Sequence, residues 1–323
     1  MYACIDLGSN SFHLLIGKWE AGRIQIIERC SEKVQLGEDV RSTHNISPHA
    51  FQRGLACLQR FRSRLAQYPV KQYGALGTNA FRVTDNAEEF VEAASTLGID
   101  ISIISGVQEA VLIYAGVITA LPTANFKRLI IDIGGGSTEI IIGAGNDRLL
   151  TESLAIGSVA WRDRFFADDK ASIAVFEKQM DSAVSAAKKV FACMAPGVRK
   201  SGWSEAYASS GTVKMLAAIC EAHGYGQVII SLAALYELKP AFISSIATGA
   251  ELPGVKENRR DLLLAGWCVM VGLMESYEIE TINFSATALR EGMLDFMVKN
   301  KKTLRAMEQS DLPAVRGTRL DLG

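Results

Sequence analysis

Two stretches of this chain, 126 residues apart, follow nearly the same plan: IDLGSNSFHLLIG from Ile5 and IDIGGGSTEIIIG from Ile131. In each, a short apolar run enters Asp-x-Gly, a turn rich in Gly, Ser or Asn follows, and a second apolar run leaves it and ends in glycine. A further turn (Ala21-Gly22 in one copy, Gly145-Asn146-Asp147 in the other) leads to a third run, 23–27 and 148–151. Short apolar runs bounded by such residues read as strands. Chance can supply a pair of Asp-x-Gly turns, but not readily the same turn, flanking strands and following hairpin twice. A repeat at the spacing of one domain therefore predicts two related α/β domains facing each other.

The segments between the copies agree. Residues 47–65 carry apolar positions at helical spacing (Phe51, Leu55, Leu58, Phe61, Leu65) behind Ser47-Pro48, a cap followed by a first-turn proline. A strand over 73–76 leads into GTNAFR; a helix over 87–97, a strand over 99–104 and a helix opened by Ser105-Gly106 follow. The second half turns helical over 172–193, 259–276 and 289–299, with short strands at 206–208 and 281–284. Domain I is expected over 1–120, domain II over 121–299, a helix near 300–312 packing back on the first, and a tail at 313–323.

At 323 residues with a net charge of −1, the chain is a folded protein without a broad nucleic-acid footprint, so duplex binding is not expected. An anionic substrate would need a local pocket. Six scattered cysteines, with no CxxC, argue for buried thiols rather than zinc or disulfides. Residue 6 already lies within a strand and the longest apolar run, 262–274, is too short to span a bilayer. The expectation is a cytoplasmic protein with no membrane partner.

A glycine-rich turn between strands brings successive N–H groups against phosphate oxygens with no Cβ in the way. Gly134, Gly135, Gly136 and Ser137 have that composition. Asp132 and Glu139, on either side of it, could anchor Mg²⁺ directly or through water. The competing reading is a tight hairpin capped by its Asp, and the second copy weighs toward phosphate. No Walker loop, no GxGxxG opening a helix, no GxSxG and no HExxH is present.

IDLGSNSFHLLI, GTNAFR, ISGVQEAVLIYAGV, IDIGGGSTEI, SSGTVK and SATALREGML, in this order, resemble the N-terminal catalytic unit of the exopolyphosphatase/guanosine pentaphosphate phosphohydrolase (Ppx/GppA) family. The likeness spans about residues 2–294. It implies the actin-like ATPase superfold, with two ribonuclease-H-like domains flanking a cleft. It implies that Glu109 is the catalytic general base, that Asp132 and Glu139 hold magnesium, and that Asn10, Ser11, Arg82, Gly134, Gly135, Gly136, Ser137, Gly211 and Thr212 contact phosphate, Arg82 as a bidentate clamp. Arg259, after Leu252-Pro253-Gly254, is a weaker candidate to face the cleft.

The expected reaction is release of terminal orthophosphate from inorganic polyphosphate, with guanosine pentaphosphate as the alternative substrate. A catalytically weak phosphate or nucleotide sensor is the reading from another class, and a kinase on the same superfold is disfavoured by Glu109. The chain departs from the family at Val107, Gln108 and Val111, where acidic or amide residues and an arginine are usual. Slower turnover or a different pH dependence is the expectation there. The chain ends before the helical C-terminal region of long members, which suggests shorter polyphosphates as substrates; the family resemblance also admits a homodimer. His13, His44, His49 and His223, the scattered tryptophans and the basic run after Lys299 read as structural or solvated.

Overall fold

The computed structural model describes residues 1–21, 23–167 and 171–300, which fall into two compact units. The first comprises Met1–Pro122 together with residues 287–300, and the second comprises Thr123–Ala286. The sequence reading of a helix near 300–312 and of a tail lies outside the described residues.

In the first unit, strands β1 (Tyr2–Leu7), β2 (Ser11–Glu20) and β3 (Arg23–Lys33) form an antiparallel meander. After α1 (Val40–Thr43) and α2 (Pro48–Leu65), strand β4 (Gln72–Gly77) pairs parallel to β1. Helices α3 (Asn79–Arg82) and α4 (Ala87–Thr96) lead to β5 (Ile101–Ile103), parallel to β4, and α5 (Gly106–Ile118) closes the run. The sheet order is β3-β2-β1-β4-β5. Central β1 is apolar almost throughout because a strand covered on both faces has no solvent side; Ile5, Leu7 and Phe12 meet Phe61 and Phe90 in the core. Ser47 caps α2 as its sequence suggests, its Oγ accepting from the Ala50 N–H at 3.3 Å.

The second unit repeats the plan. Strands β6 (Lys127–Ile133), β7 (Thr138–Ala144) and β8 (Asp147–Leu154) form the meander. Helices α6 (Ser158–Phe165), α7 (Ile173–Ala192) and α8 (Ala195–Ser201) precede β9 (Glu205–Ser209), which is parallel to β6. Next come α9 (Gly211–Ala222), β10 (Ile229–Ser231), α10 (Leu232–Thr248), a 3-10 turn (Glu257–Leu262), α11 (Leu263–Tyr277) and β11 (Thr281–Phe284). The order β10-β11-β9-β6-β7-β8 matches the first sheet strand for strand, apart from the added β10. The duplication extends to a defect: the ladder slips between Ile16 and Gly17 in one copy and between Ile142 and Gly143 in the other. Both sites lie at the same 126-residue offset. A meander followed by parallel strands, twice over, is the ribonuclease-H-like arrangement of the actin-like superfold.

Two expectations need correction. Helix α12 (Leu289–Asn300), assigned from sequence to the second domain, belongs to the first unit. It crosses α5 so closely that a methyl group on Gly116 would fall 1.8 Å from the Ala288 carbonyl oxygen, and one on Gly292 equally close to that of Leu112. The predicted buried helix at 259–276 starts only at Leu263, its first residues winding as a 3-10 turn. Four of the six cysteines are buried as expected, whereas Cys193 is exposed. No helix among the described residues is long and apolar enough to cross a membrane.

Candidate active site

In the first unit, the turn from Gly8 to Asn10 joins β1 to β2 and is clamped from outside. The Asn10 carbonyl accepts from the N–H groups of Val34 (3.0 Å) and Gln35 (2.8 Å), and the Ser9 carbonyl from Gly37 (2.8 Å). Asn10 is 8% exposed, its Nδ2 lies 3.4 Å from Ser11 Oγ, and its Oδ1 has no hydrogen-bond partner among the described residues. The oxygen and nitrogen ends of the amide are nearly isosteric, so it fits the turn either way round. Turned over, the amide would accept from the Ser11 hydroxyl and present N–H to an anion. A buried amide left with an open position is what a bound phosphate would complete.

Asp6 sits one residue before the end of β1, with Oδ1 about 4.0 Å from where a Cβ on Gly8 would lie. Although part of the residue reaches solvent, its carboxyl is enclosed, and burial pushes its pKa up from 3.8 to about 6; Arg290 opposes that rise and Glu291 adds to it. The sequence reading left Asp6 out of the site. The repeat was the available signal, since Asp6 is the counterpart of Asp132.

Arg82, at the end of α3, reaches the start of α5. Its Nη1 donates to the Ile104 carbonyl at 2.9 Å and to Glu109 Oε2 at 2.8 Å. The structure thus joins the predicted clamp to the predicted base. Both are largely enclosed, with side-chain exposures of 19% and 11%. The first turn of α5 is fixed by a reciprocal box: Ser105 Oγ accepts from the Gln108 N–H (3.2 Å), and Gln108 Oε1 accepts from the Ser105 N–H (2.8 Å). An amide serves that box as well as a carboxylate does, so the Gln108 departure keeps the helix start intact. Val107 is exposed and Val111 buried.

In the second unit, the Gly134–Ser137 turn is closed by a 2.9 Å bond from the Gly134 N–H to the Ser137 carbonyl. The Gly134 carbonyl accepts from Ser158 (2.9 Å), and that of Gly135 from Val159 (2.8 Å) and Ala160 (3.1 Å), the opening N–H groups of α6. In a trans peptide C=O and N–H point in opposite directions. With their carbonyls spent on α6, these two peptides direct the N–H groups of Gly135 and Gly136 away from it. That is the polarity an anion cradle needs.

Asp132 is opposed by Glu139 on β7 and by Ser209 on β9, and directly opposed residues share a sheet face. The Ser209 hydroxyl donates to Asp132 Oδ2. Glu139 is 1% exposed and accepts from Ser153 Oγ at 2.8 Å. No cluster of three His, Cys, Asp or Glu suited to a metal occurs among the described residues. Magnesium fits this arrangement, because it takes one or two carboxylates from a protein and completes its shell with phosphate oxygens and water. Asp132, partly exposed, would be the group to reach it, and buried Glu139 lies directly opposite on β7.

Ser210, at φ 113°, caps α9 through Oγ, which accepts from the N–H groups of Thr212 (3.1 Å) and Val213 (3.2 Å). Thr212 is 3% exposed, and its hydroxyl donates to Ser158 Oγ at 3.1 Å. It therefore braces α6 against α9. Gly211 has a different neighbour: a Cβ there would lie 2.2 Å from Arg259 Nη1 and 2.3 Å from Cζ, so the guanidinium rests on the glycine backbone. Arg259, a weak candidate from sequence, is thus placed at the Ser210–Thr212 turn. Two cavities, of about 1010 Å³ between β3 and α2 and about 660 Å³ among α7, α8, α10 and α11, contain none of these residues.

Comparison with known proteins identifies the family. The profile of the Ppx/GppA phosphatase family matches residues 15–301. The guanosine-5'-triphosphate,3'-diphosphate pyrophosphatase of Pseudoalteromonas translucida is 39% identical over 300 residues, covering 92% of this chain and 59% of that protein. The chain therefore spans somewhat more than half the length of this relative. The exopolyphosphatase of Cytophaga hutchinsonii superposes with a TM-score of 0.83 at 28% identity, over 93% of this chain and 98% of that one. The Aquifex aeolicus Ppx/GppA protein does so with a TM-score of 0.72 at 25% identity, again over 93% and 98%. The chain belongs to the Ppx/GppA phosphatase family.

Proposed function

We propose that the protein hydrolyses the terminal phosphoanhydride bond of inorganic polyphosphate, releasing orthophosphate. The observation that carries this reading is the enclosed Glu109 carboxylate, fixed on the capped first turn of α5 and held by Arg82. A carboxylate so placed serves to orient a water and take its proton. As the water oxygen bonds to the terminal phosphorus, the bridging P–O bond breaks. The shortened chain leaves with that oxygen, and the proton passes to Glu109. In this reading Asn10, Ser11 and Arg82 are phosphate ligands, as are the N–H groups of the Gly134–Ser137 turn and of Gly211. Magnesium, held by Asp132 with Glu139 beside it, would neutralise charge on those oxygens.

A second reading, guanosine pentaphosphate as substrate, is favoured by the 39% identical relative named for that nucleotide. The two reactions share the attack and differ in what trails behind it. Phosphate release with Mg²⁺ from polyphosphate, guanosine pentaphosphate and ATP, run side by side, separates them. The proposal expects the highest kcat/KM on polyphosphate. A preference for guanosine pentaphosphate of tenfold or more (about 1.4 kcal/mol in the transition state) would move the assignment to the nucleotide. Release from none of the three would leave the sensor reading.

A further inference from the structure

The contact between Arg82 and Glu109 uses only part of the guanidinium. Arginine has five N–H donors in a planar fork. Here Nη1 alone serves both the Ile104 carbonyl and Glu109 Oε2, and the donors on Nε and Nη2 have no hydrogen-bond partner among the described residues. The two acceptors are not independent. Ile104 immediately precedes Ser105, the N-cap of α5, and Glu109 lies on the first turn of that helix. One nitrogen therefore pins the carboxylate to the start of its own helix.

The other end of Arg82 is anchored as well. Its backbone N–H donates to the Thr78 carbonyl at 3.3 Å, and Thr78 Oγ1 donates to the Leu7 carbonyl at 3.3 Å, at the end of β1. Arg82 is thus tied through Thr78 to the end of β1, and its side chain reaches the start of α5.

We propose that Arg82 is the positioning residue of Glu109 as well as a phosphate ligand: Nη1 holds the carboxylate while Nε and Nη2 take oxygens of the terminal phosphate. One rigid fork then sets the separation between base and phosphorus. A plain phosphate clamp would bind substrate without touching the base, and a plain ion pair would steady the fold without touching substrate. A lysine, as a single point charge, can occupy one of these places but cannot bridge both. The inference rests on Glu109 being the base.

The test is a double-mutant cycle on Mg²⁺-dependent phosphate release from polyphosphate, with R82A, E109Q, R82A/E109Q and R82K. R82A is expected to lower kcat by about 100-fold or more and to raise KM several-fold. In the E109Q background, where no base remains to be positioned, R82A should lower kcat by less than about threefold, the strong coupling expected of groups acting as a unit. R82K should recover most of KM and little of kcat, and added guanidinium should restore part of the R82A turnover. Equal fold-losses of kcat from R82A in both backgrounds would overturn the proposal, as would wild-type kcat in R82K. Wild-type turnover in E109Q would instead remove the reading of Glu109, a separate failure. Should R82A not fold, R82K, which keeps the charge, carries the test alone.

Discussion

Asp6 and Asp132 hold equivalent places, one residue before the ends of β1 and β6, yet their neighbours differ. Across the parallel pair Asp132 meets Ser209, whose hydroxyl donates to it, while Asp6 meets Leu76. A carboxyl beside leucine receives no hydrogen bond from that side, which is consistent with burial dominating its rise to about 6. Between 3.8 and about 6 the folded protein keeps a proton that the unfolded chain has released. The contribution of Asp6 to stability therefore falls as pH rises through that window. D6N should accordingly be more stable than wild type at pH 7.5, by about 3 kcal/mol, with the gap closing toward pH 4. Melting curves across pH check this, and a gap that widens on acidification would contradict it. Gly211 is the other residue with a specific forecast. G211A would push Arg259 off the turn, raising KM severalfold with little change in melting temperature, because the clashing atoms end a flexible side chain. The role of Arg259 was faint in the sequence because its contact joins residues 48 positions apart with no local pattern to announce it.

At the level of elements, caps and turns were the legible part. The Ser47-Pro48 start of α2 and the Ser105-Gly106 start of α5 are local signals, satisfied within a few residues of chain. They also allow a paired test. S47A and S105A each remove a hydroxyl that caps a helix and should each cost about 1 kcal/mol. Only S105A should also lower kcat, because α5 carries Glu109; equal turnover in the two variants would argue that the α5 start does not position the base. Less legible were elements with mixed signals. Helix α10 contains Pro240, which usually ends a helix, and the turn before α11 winds as 3-10. Helix α12 was misassigned because its partner α5 lies more than 170 residues earlier, and the close approach of Gly116 to Gly292 shows in the structure rather than in any local pattern. G116V should separate the two helices and cost several kcal/mol, since the obstacle is backbone that cannot give way.

For the whole molecule, the duplicated meander was readable from two glycine turns, and the shared ladder slip at Gly17 and Gly143 supports it in detail no sequence pattern displays. The division of labour between the copies is chemical. The first unit carries Asn10, Ser11, Arg82 and Glu109, and the second carries the peptide cradle, Asp132, Glu139 and Arg259. The proposed reaction turns on Glu109 of the first unit. Pre-steady-state measurement on E109Q tests that account most directly. Binding of polyphosphate should persist within a few-fold of wild type, while phosphate release in the first turnover should slow by about 100-fold or more. An E109Q protein that releases phosphate at the wild-type rate would contradict it.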